Sequence, residues 1–295
     1  MPDRIQIFLS PSPVEALQQT QTVPLDSELE RKYLALQEAI KAMGSVITAF
    51  SGGVDSSLVA YLSHSVLGKS ALAVTSCSES LTRDDYALTE SLAADWGMAH
   101  RVIRTAETSN PSYLANPVNR CYFCKSTLYA DLAALAGQEG FAVIINGTNL
   151  DDLGDHRPGL QAAAEYKVRS PLAEYYFQKT DIRRLAAHLG LRNARKPQAA
   201  CLSSRVPYGL AITLPMLSQI EQAEQVLKRM GFAQLRVRHH GDVARIEVPV
   251  EDIERLLPQR EQIVRELEAL GYRYVTVDLK GFRSGSLNEG LKKGR

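Results

Sequence analysis

Apolar positions along this chain follow two successive rhythms. From residue 27 to about 150, short apolar runs alternate with stretches in which apolar side chains recur every three or four residues. Residues 45–50 (SVITAF), 71–76 (ALAVTS), 101–104 (RVIR) and 141–146 (FAVIIN) read as buried strands. Leu29, Tyr33, Leu36, Ile40 and Met43 share one face of a first helix, which a Ser27–Glu30 capping box would open. A helix beginning SSLVAYL follows the first strand and stops at Gly68. Residues 82–96 predict the next helix, ended by Gly97, and residues 124–135 another. Between them, residues 106–120 are a loop punctuated by Asn110-Pro111 and Asn116-Pro117. Repeated strand–helix–strand units of this length predict an α/β fold, a parallel sheet with helices on both faces. Ligands of such sheets bind at the carboxyl ends of the strands, where Ser51, Cys77 and Asn146 fall.

The rhythm changes after Pro207-Tyr208-Gly209. An amphipathic helix over 215–230 precedes a hairpin, 235–239 and 243–248, turning at His240-Gly241-Asp242. A helix over 259–270 and a strand over 272–279 complete a smaller α+β unit. The expected organisation is a loose tail over 1–26, an α/β domain over 27–209 and an α+β domain over 210–295. In the hairpin, Leu235 and Val237 alternate with Arg236 and Arg238, so both guanidiniums leave one face. Across from them Ala244, Ile246 and Val248 are apolar, with Arg245 and Glu247 between. Two arginines on one face can grip a phosphate; a solvated basic face is the plain alternative.

Composition narrows the class further. A chain of 295 residues, 45% apolar, is long enough for both domains. Its formal net charge of +1 gives no general pull toward nucleic acid or acidic membrane, so neither is an expected partner. No apolar run reaches spanning length, and the N-terminus lacks the pattern of a signal peptide. A cytoplasmic protein is expected, and its four cysteines are then not expected in structural disulfides.

The chemistry concentrates at Ser51-Gly52-Gly53-Val54-Asp55-Ser56-Ser57, between the first strand and its helix. A turn there directs backbone N–H groups, and the positive end of the following helix, at one point. Gly52 and Gly53 admit an anion without a Cβ in the way. Ser51, Ser56 and Ser57 add hydroxyls, and Asp55 suits a Mg²⁺ ion on a polyphosphate. The string is no Walker motif. It resembles the SGGxDS loop of the N-type ATP pyrophosphatases. That likeness implies cleavage of ATP between the α and β phosphates and activation of a substrate as its adenylate.

Cys121 and Cys124 form a Cys-x-x-Cys, and Cys201 lies far downstream. Such a pair can be a redox couple, part of a zinc site, cluster ligands, or small core residues. A fourth zinc ligand is lacking nearby, His156 being the nearest candidate, and three thiolates suit a [4Fe–4S] cluster with one open iron. Cys77 reads as a pocket-lining residue.

Several further strings fall in one order: Asn146-Gly147-Thr148-Asn149 with Asp151-Asp152, Asp155-His156-Arg157-Pro158-Gly159-Leu160, Ser203-Ser204-Arg205-Val206-Pro207-Tyr208-Gly209, Arg236-Val237-Arg238 and Gly281-Phe282-Arg283-Ser284-Gly285. With the phosphate loop they resemble the LarE-type sulfur transferases, from about Leu29 to Ser286. The resemblance implies adenylation, with ATP and Mg²⁺, of a pyridinium biscarboxylate mononucleotide and conversion of its carboxylates to thiocarboxylates. This serves assembly of the nickel-pincer cofactor. By the same likeness Ser51, Gly52, Gly53, Asp55, Ser56, Ser57, Cys77 and Gly147 bind the nucleotide. Asp55, Lys125, Cys201, Ser204 and Arg205 serve the reaction, and Arg236 and Arg238 take the substrate phosphate. Some members surrender the sulfur of one cysteine five positions before the Arg of SSR. Here that position is Ala200, and Cys201 stands four before Arg205. The three-cysteine version, in which Cys121, Cys124 and Cys201 hold a [4Fe–4S] cluster, matches instead, and a homo-oligomer is implied. Rival readings are a tRNA thiolase of the same superfamily and a non-catalytic nucleotide- or cluster-binding protein.

Overall fold

The computed structural model describes residues 24–154, 158–283 and 285–289. Nearly all of the expected tail lies outside the described residues, as do Asp155, His156, Arg157 and Ser284 of the motifs above.

In chain order the first half runs α1 (Ser27–Ala42), β1 (Val46–Ala49), α2 (Val54–Leu67), β2 (Ala71–Cys77), α3 (Arg83–Trp96), β3 (His100–Arg104), α4 (Pro111–Leu114), α5 (Arg120–Glu139) and β4 (Val143–Ile145). The strands form a parallel sheet in the order β3-β2-β1-β4. The chain moves outward from β1 to β3 and then returns to the other side of β1. The crevice between the carboxyl ends of β1 and β4 is therefore the switch point, where such sheets bind ligands. Alternation sends Val46 and Ala71 to one face and Ile47, Leu72 and Val74 to the other. The first face packs under α1 and α2, the second under α5. Both faces are thus covered, as the continuous apolar runs require.

Local signals held with small shifts. Asp26, not Ser27, caps α1, accepting from Leu29 N at 2.9 Å; Leu29 then holds the third helical position, so the expected Ser27–Glu30 capping box does not form. Thr82 caps α3 and Gly97 ends it in the left-handed conformation. α5 begins at Arg120, four residues before the expected start, so Cys121 and Cys124 both ride its opening turns.

Residues 146–209, which carry weak periodicity, hold four short helices: α6 (Leu150–Leu153), α7 (Pro158–Glu165), α8 (Pro171–Glu174) and α9 (Lys179–His188). They precede a single 3₁₀ turn, Leu202–Arg205. The remainder comprises α10 (Leu214–Arg229), β5 (Arg236–His240), β6 (Val243–Glu247), α11 (Ile253–Leu256), α12 (Arg260–Ala269) and β7 (Tyr274–Val277). β5 and β6 are antiparallel and β7 joins β6 in parallel. Val237, Ala244 and Ile246 face a separate core with Leu227 of α10 and Leu267 of α12. A third group, Tyr113, Leu202, Val206, Ile212, Leu217 and Ile220, packs across the expected 209/210 boundary. It seats the 3₁₀ turn between the two units.

No helix among the described residues is long and apolar enough to cross a membrane.

Candidate active site

The loop after β1 is built as its residue types suggest. Gly52 adopts φ +70°, and a Cβ there would lie 3.1 Å from Thr89 Cγ2. Ser56 closes the turn: its hydroxyl accepts from Ser51 N at 3.1 Å and donates to Gly53 O at 3.2 Å. Gly53 is the N-cap of α2, and Asp55 sits in that helix's first turn. Ser57 is fully buried beneath the loop, where its hydroxyl receives Asn193 Nδ2 at 2.8 Å.

Gly147, at the end of β4, is the tightest glycine of the site. A Cβ on it would fall 2.5 Å from Ser56 N and 2.8 Å from Asp55 C. The β4 turn therefore lies directly on the amino end of α2. Gly147→Ala is expected to push the two loops apart, costing about 1–3 kcal/mol of stability and most of the pyrophosphate release. Gly53→Ala, whose Cβ would meet only Ser51 Oγ at 3.4 Å, is expected to cost little stability by comparison, though its Cβ would enter the anion's space. Thermal melts with pyrophosphate assays on both variants check the contrast.

The tertiary structure adds partners that no sequence pattern marked. Asp55 pairs with Lys179 at the start of α9 and accepts from Asn149 Nδ2 at 3.3 Å. Lys196 pairs with Asp85 at 2.6 Å and approaches Gly52 O, to which Asn193 also donates at 3.1 Å. Two ammonium groups thus stand at the rim of the glycine–serine loop. Cys77 closes β2, paired in register with Arg104, and is half-buried.

The cysteines converge from α5 and the 3₁₀ turn. Cys121 and Cys201 are exposed and Cys124 is half-buried. Burial pushes the Cys124 thiol up to about 12, against the opposing pull of Lys125; Glu107, Cys201 and Cys121 push it the same way as burial. Crowding around the Cys121 sulfur, then the charge of Cys201, raises that thiol too, although the residue as a whole is exposed. Both thiols are therefore protonated at neutral pH, and a metal would displace their protons. Among the described residues no group of three His, Cys, Asp or Glu side chains is set to hold a metal ion. Cys201 lies near enough to both thiols of α5 to raise them, and Lys125 opposes the rise at each.

The 3₁₀ turn is held by buried polar contacts. Asn116, at φ +52° and fully buried, donates to Pro207 O at 2.7 Å and Leu210 O at 3.0 Å. Arg120 donates to Asn116 Oδ1 at 2.5 Å and Ser203 O at 2.9 Å. Arg205 forks onto Glu224 of α10 at 2.8 and 3.0 Å and donates to Cys201 O at 3.1 Å. Ser204 sits beside it, its hydroxyl 3.1 Å from Arg205 Nη1. Arg205 thus fixes the turn that carries Cys201.

Arg236 and Arg238 do leave the same face of β5, but that face is covered, not solvated. Arg238 pairs bidentately with the fully buried Glu247 at 3.0 Å for both contacts and donates to Ser204 O at 2.5 Å. Arg236 stacks on Phe282, 4.6 Å from the ring centroid, and burial lowers its pKa to about 10. A cavity of about 130 Å³ opens beside them, lined by Arg205, Arg238, His240, Arg245 and Ser286 among others. Arg238 thus reaches this cationic cavity and Arg236 does not line it.

A parallel sheet with a glycine–serine anion loop at its switch point defines an ATP-using, adenylating enzyme of the N-type ATP pyrophosphatase class. The NAD synthase family model matches residues 28–113, the segment holding that loop. Over 90% of its length the chain is 43% identical to an uncharacterised protein of Synechocystis sp., covering all of it. It is 39% identical, over 90% of its length and 96% of the relative's, to pyridinium-3,5-bisthiocarboxylic acid mononucleotide synthase of Lactiplantibacillus plantarum. An uncharacterised protein of Methanocaldococcus jannaschii is 27% identical over 81% of this chain and 91% of its own. The chain belongs to the pyridinium-3,5-bisthiocarboxylic acid mononucleotide synthase family.

Proposed function

We propose that this enzyme adenylates the carboxylates of a pyridinium biscarboxylate mononucleotide and replaces the AMP with sulfur, for nickel-pincer cofactor assembly. The observation that carries the reading is the placement of two chemistries on adjoining elements. The phosphate loop meets the β4 turn at Gly147, and α5, which bears two of the cysteines, leads into β4.

A substrate carboxylate oxygen attacks the α-phosphorus, the α–β phosphoanhydride bond breaks, and pyrophosphate leaves. The loop N–H groups, the end of α2, Lys179 and Lys196 are the groups to meet that charge, the two lysines being paired with Asp55 and Asp85 beside the loop. Asp55, released from Lys179, is the group to hold Mg²⁺. Sulfur then attacks the carbonyl carbon and the C–O bond to AMP breaks. Lys125, adjoining Cys124, offsets charge on the adenylated intermediate. Arg205 and Ser204 hold the Cys201 turn, and the cavity reached by Arg238 suits the substrate phosphate. Cys121, Cys124 and Cys201 would hold a [4Fe–4S] cluster, which when bound would supply the transferred sulfur.

Asp55→Ala is expected to lower substrate-dependent pyrophosphate release on the order of a hundredfold while leaving the melting profile close to wild type. A phosphate-release-coupled assay with the mononucleotide measures it. Full turnover in this variant would remove the loop from the mechanism.

A further inference from the structure

We propose that Tyr129 is a positioning residue for Lys125, holding its ammonium on the ring face, unclaimed by any described carboxylate, between the nucleotide turn and the cysteines. The proposal rests on the reading of Lys125 as the cation that offsets charge on the adenylated intermediate.

Three lysines approach the site, and they are held differently. Lys179 is paired with Asp55 and Lys196 with Asp85. Lys125 makes no ion pair with any described carboxylate; its Nζ lies 5.8 Å from the centroid of the Tyr129 ring. An ammonium bound to a carboxylate has much of its field cancelled, whereas the ring quadrupole attracts it without neutralising it. The cation therefore remains available to an anion that arrives later.

Both ends of the arrangement are fixed. A Cβ on Gly159 of α7 would come 3.1 Å from Lys125 Cγ, so the glycine leaves a slot for the lysine stem. The Tyr129 hydroxyl accepts from Asn146 Nδ2 at 3.2 Å, and Asn146 Oδ1 accepts from Thr148 N at 2.9 Å and Ser170 Oγ at 3.0 Å. Tyr129 itself is buried, 2% exposed, in the core between α5 and the sheet. The ring is thereby tied to the turn that contains Gly147. Any ligand at the phosphate loop and any acceptor near the cysteines see Lys125 from a defined position.

The test uses Tyr129→Phe, which keeps the ring and loses the hydroxyl, and Tyr129→Leu, which loses the ring. Tyr129→Leu is expected to lower kcat for thiocarboxylate formation about tenfold with KM for ATP within about twofold, and Tyr129→Phe to retain most of the rate. The double variant Lys125→Ala/Tyr129→Leu should be no slower than Lys125→Ala alone, because the ring acts through the lysine. Multiplicative losses, or a Tyr129→Phe defect as large as that of Tyr129→Leu, would overturn the proposal. A readout independent of turnover is the ¹³C-methyl resonance of reductively methylated Lys125, assigned by its absence in Lys125→Ala. It should be shifted upfield by the ring in wild type and Tyr129→Phe and return to the ordinary lysine position in Tyr129→Leu. No upfield shift in wild type would refute the positioning itself. Full activity in Lys125→Ala, with the shift present, would instead refute the catalytic reading of Lys125 and leave the geometry standing.

Discussion

Replacing any one of Cys121, Cys124 and Cys201 by alanine is expected to abolish thiocarboxylate formation and iron binding together. The cysteines come from two separate elements, the opening of α5 and the start of the 3₁₀ turn. Ligands of a shared cluster fail as a set, so each loss should reduce turnover at least a hundredfold, not by a third. Iron and sulfide analysis of anaerobically purified variants, together with product formation, checks this. The wild-type polypeptide mass should be unchanged after reaction, because Ala200 occupies the place of a sacrificial cysteine. Loss of the elements of H₂S from Cys201, read by intact-protein mass spectrometry, would replace cluster chemistry with self-sacrifice. So would full activity after Cys121→Ala.

Glu224→Ala is expected to be strongly destabilising. Its carboxylate receives both prongs of Arg205 and also Val237 N at 3.0 Å, with side-chain exposures of 4% for Glu224 and 7% for Arg205. Removing it leaves a buried guanidinium without its counter-charge, which costs about 3–5 kcal/mol and lowers Tm on the order of 10 °C. Activity should fall further than stability accounts for, since Arg205 also holds the Cys201 carbonyl. Arg229→Ala is the control: it breaks a pair with Glu266 whose arginine is 64% exposed, and should cost less than about 1 kcal/mol. Differential scanning calorimetry of both variants decides; equal losses would contradict the assignment of Glu224 as the anchor of the turn.

Legibility in the sequence followed the range of the forces involved. The strand β1, its loop and α2 were readable because a short apolar run, two glycines and a serine-rich helix start are local signals. Thr82 and Gly97 marked the ends of α3 for the same reason. Asp26 displaced Ser27 as a cap because either residue type serves, and only the chain's path selects one. The helices over 150–188 were not anticipated, as they are short and their apolar positions serve contacts distant in sequence, such as Leu172 and Phe177 packing with α1 and α2. One clue was present: Glu224 interrupts the apolar stripe of α10 among Leu217, Ile220 and Leu227, and a charge there signals a buried partner.

The sequence by itself determined the α/β class, the glycine–serine turn after the first strand and the family, because backbone conformation and residue chemistry are written locally. Tertiary structure alone decided what each charged group faces. Alternation put Arg236 and Arg238 on one face, but whether that face meets water or protein depends on the 3₁₀ turn, Phe282, Arg283 and Ser286 lying against it. Lys179 reached Asp55 only once α9 was packed about the sheet. Electrostatic roles depend on burial and on the nearest opposite charge. Neither quantity exists until the chain has closed on itself.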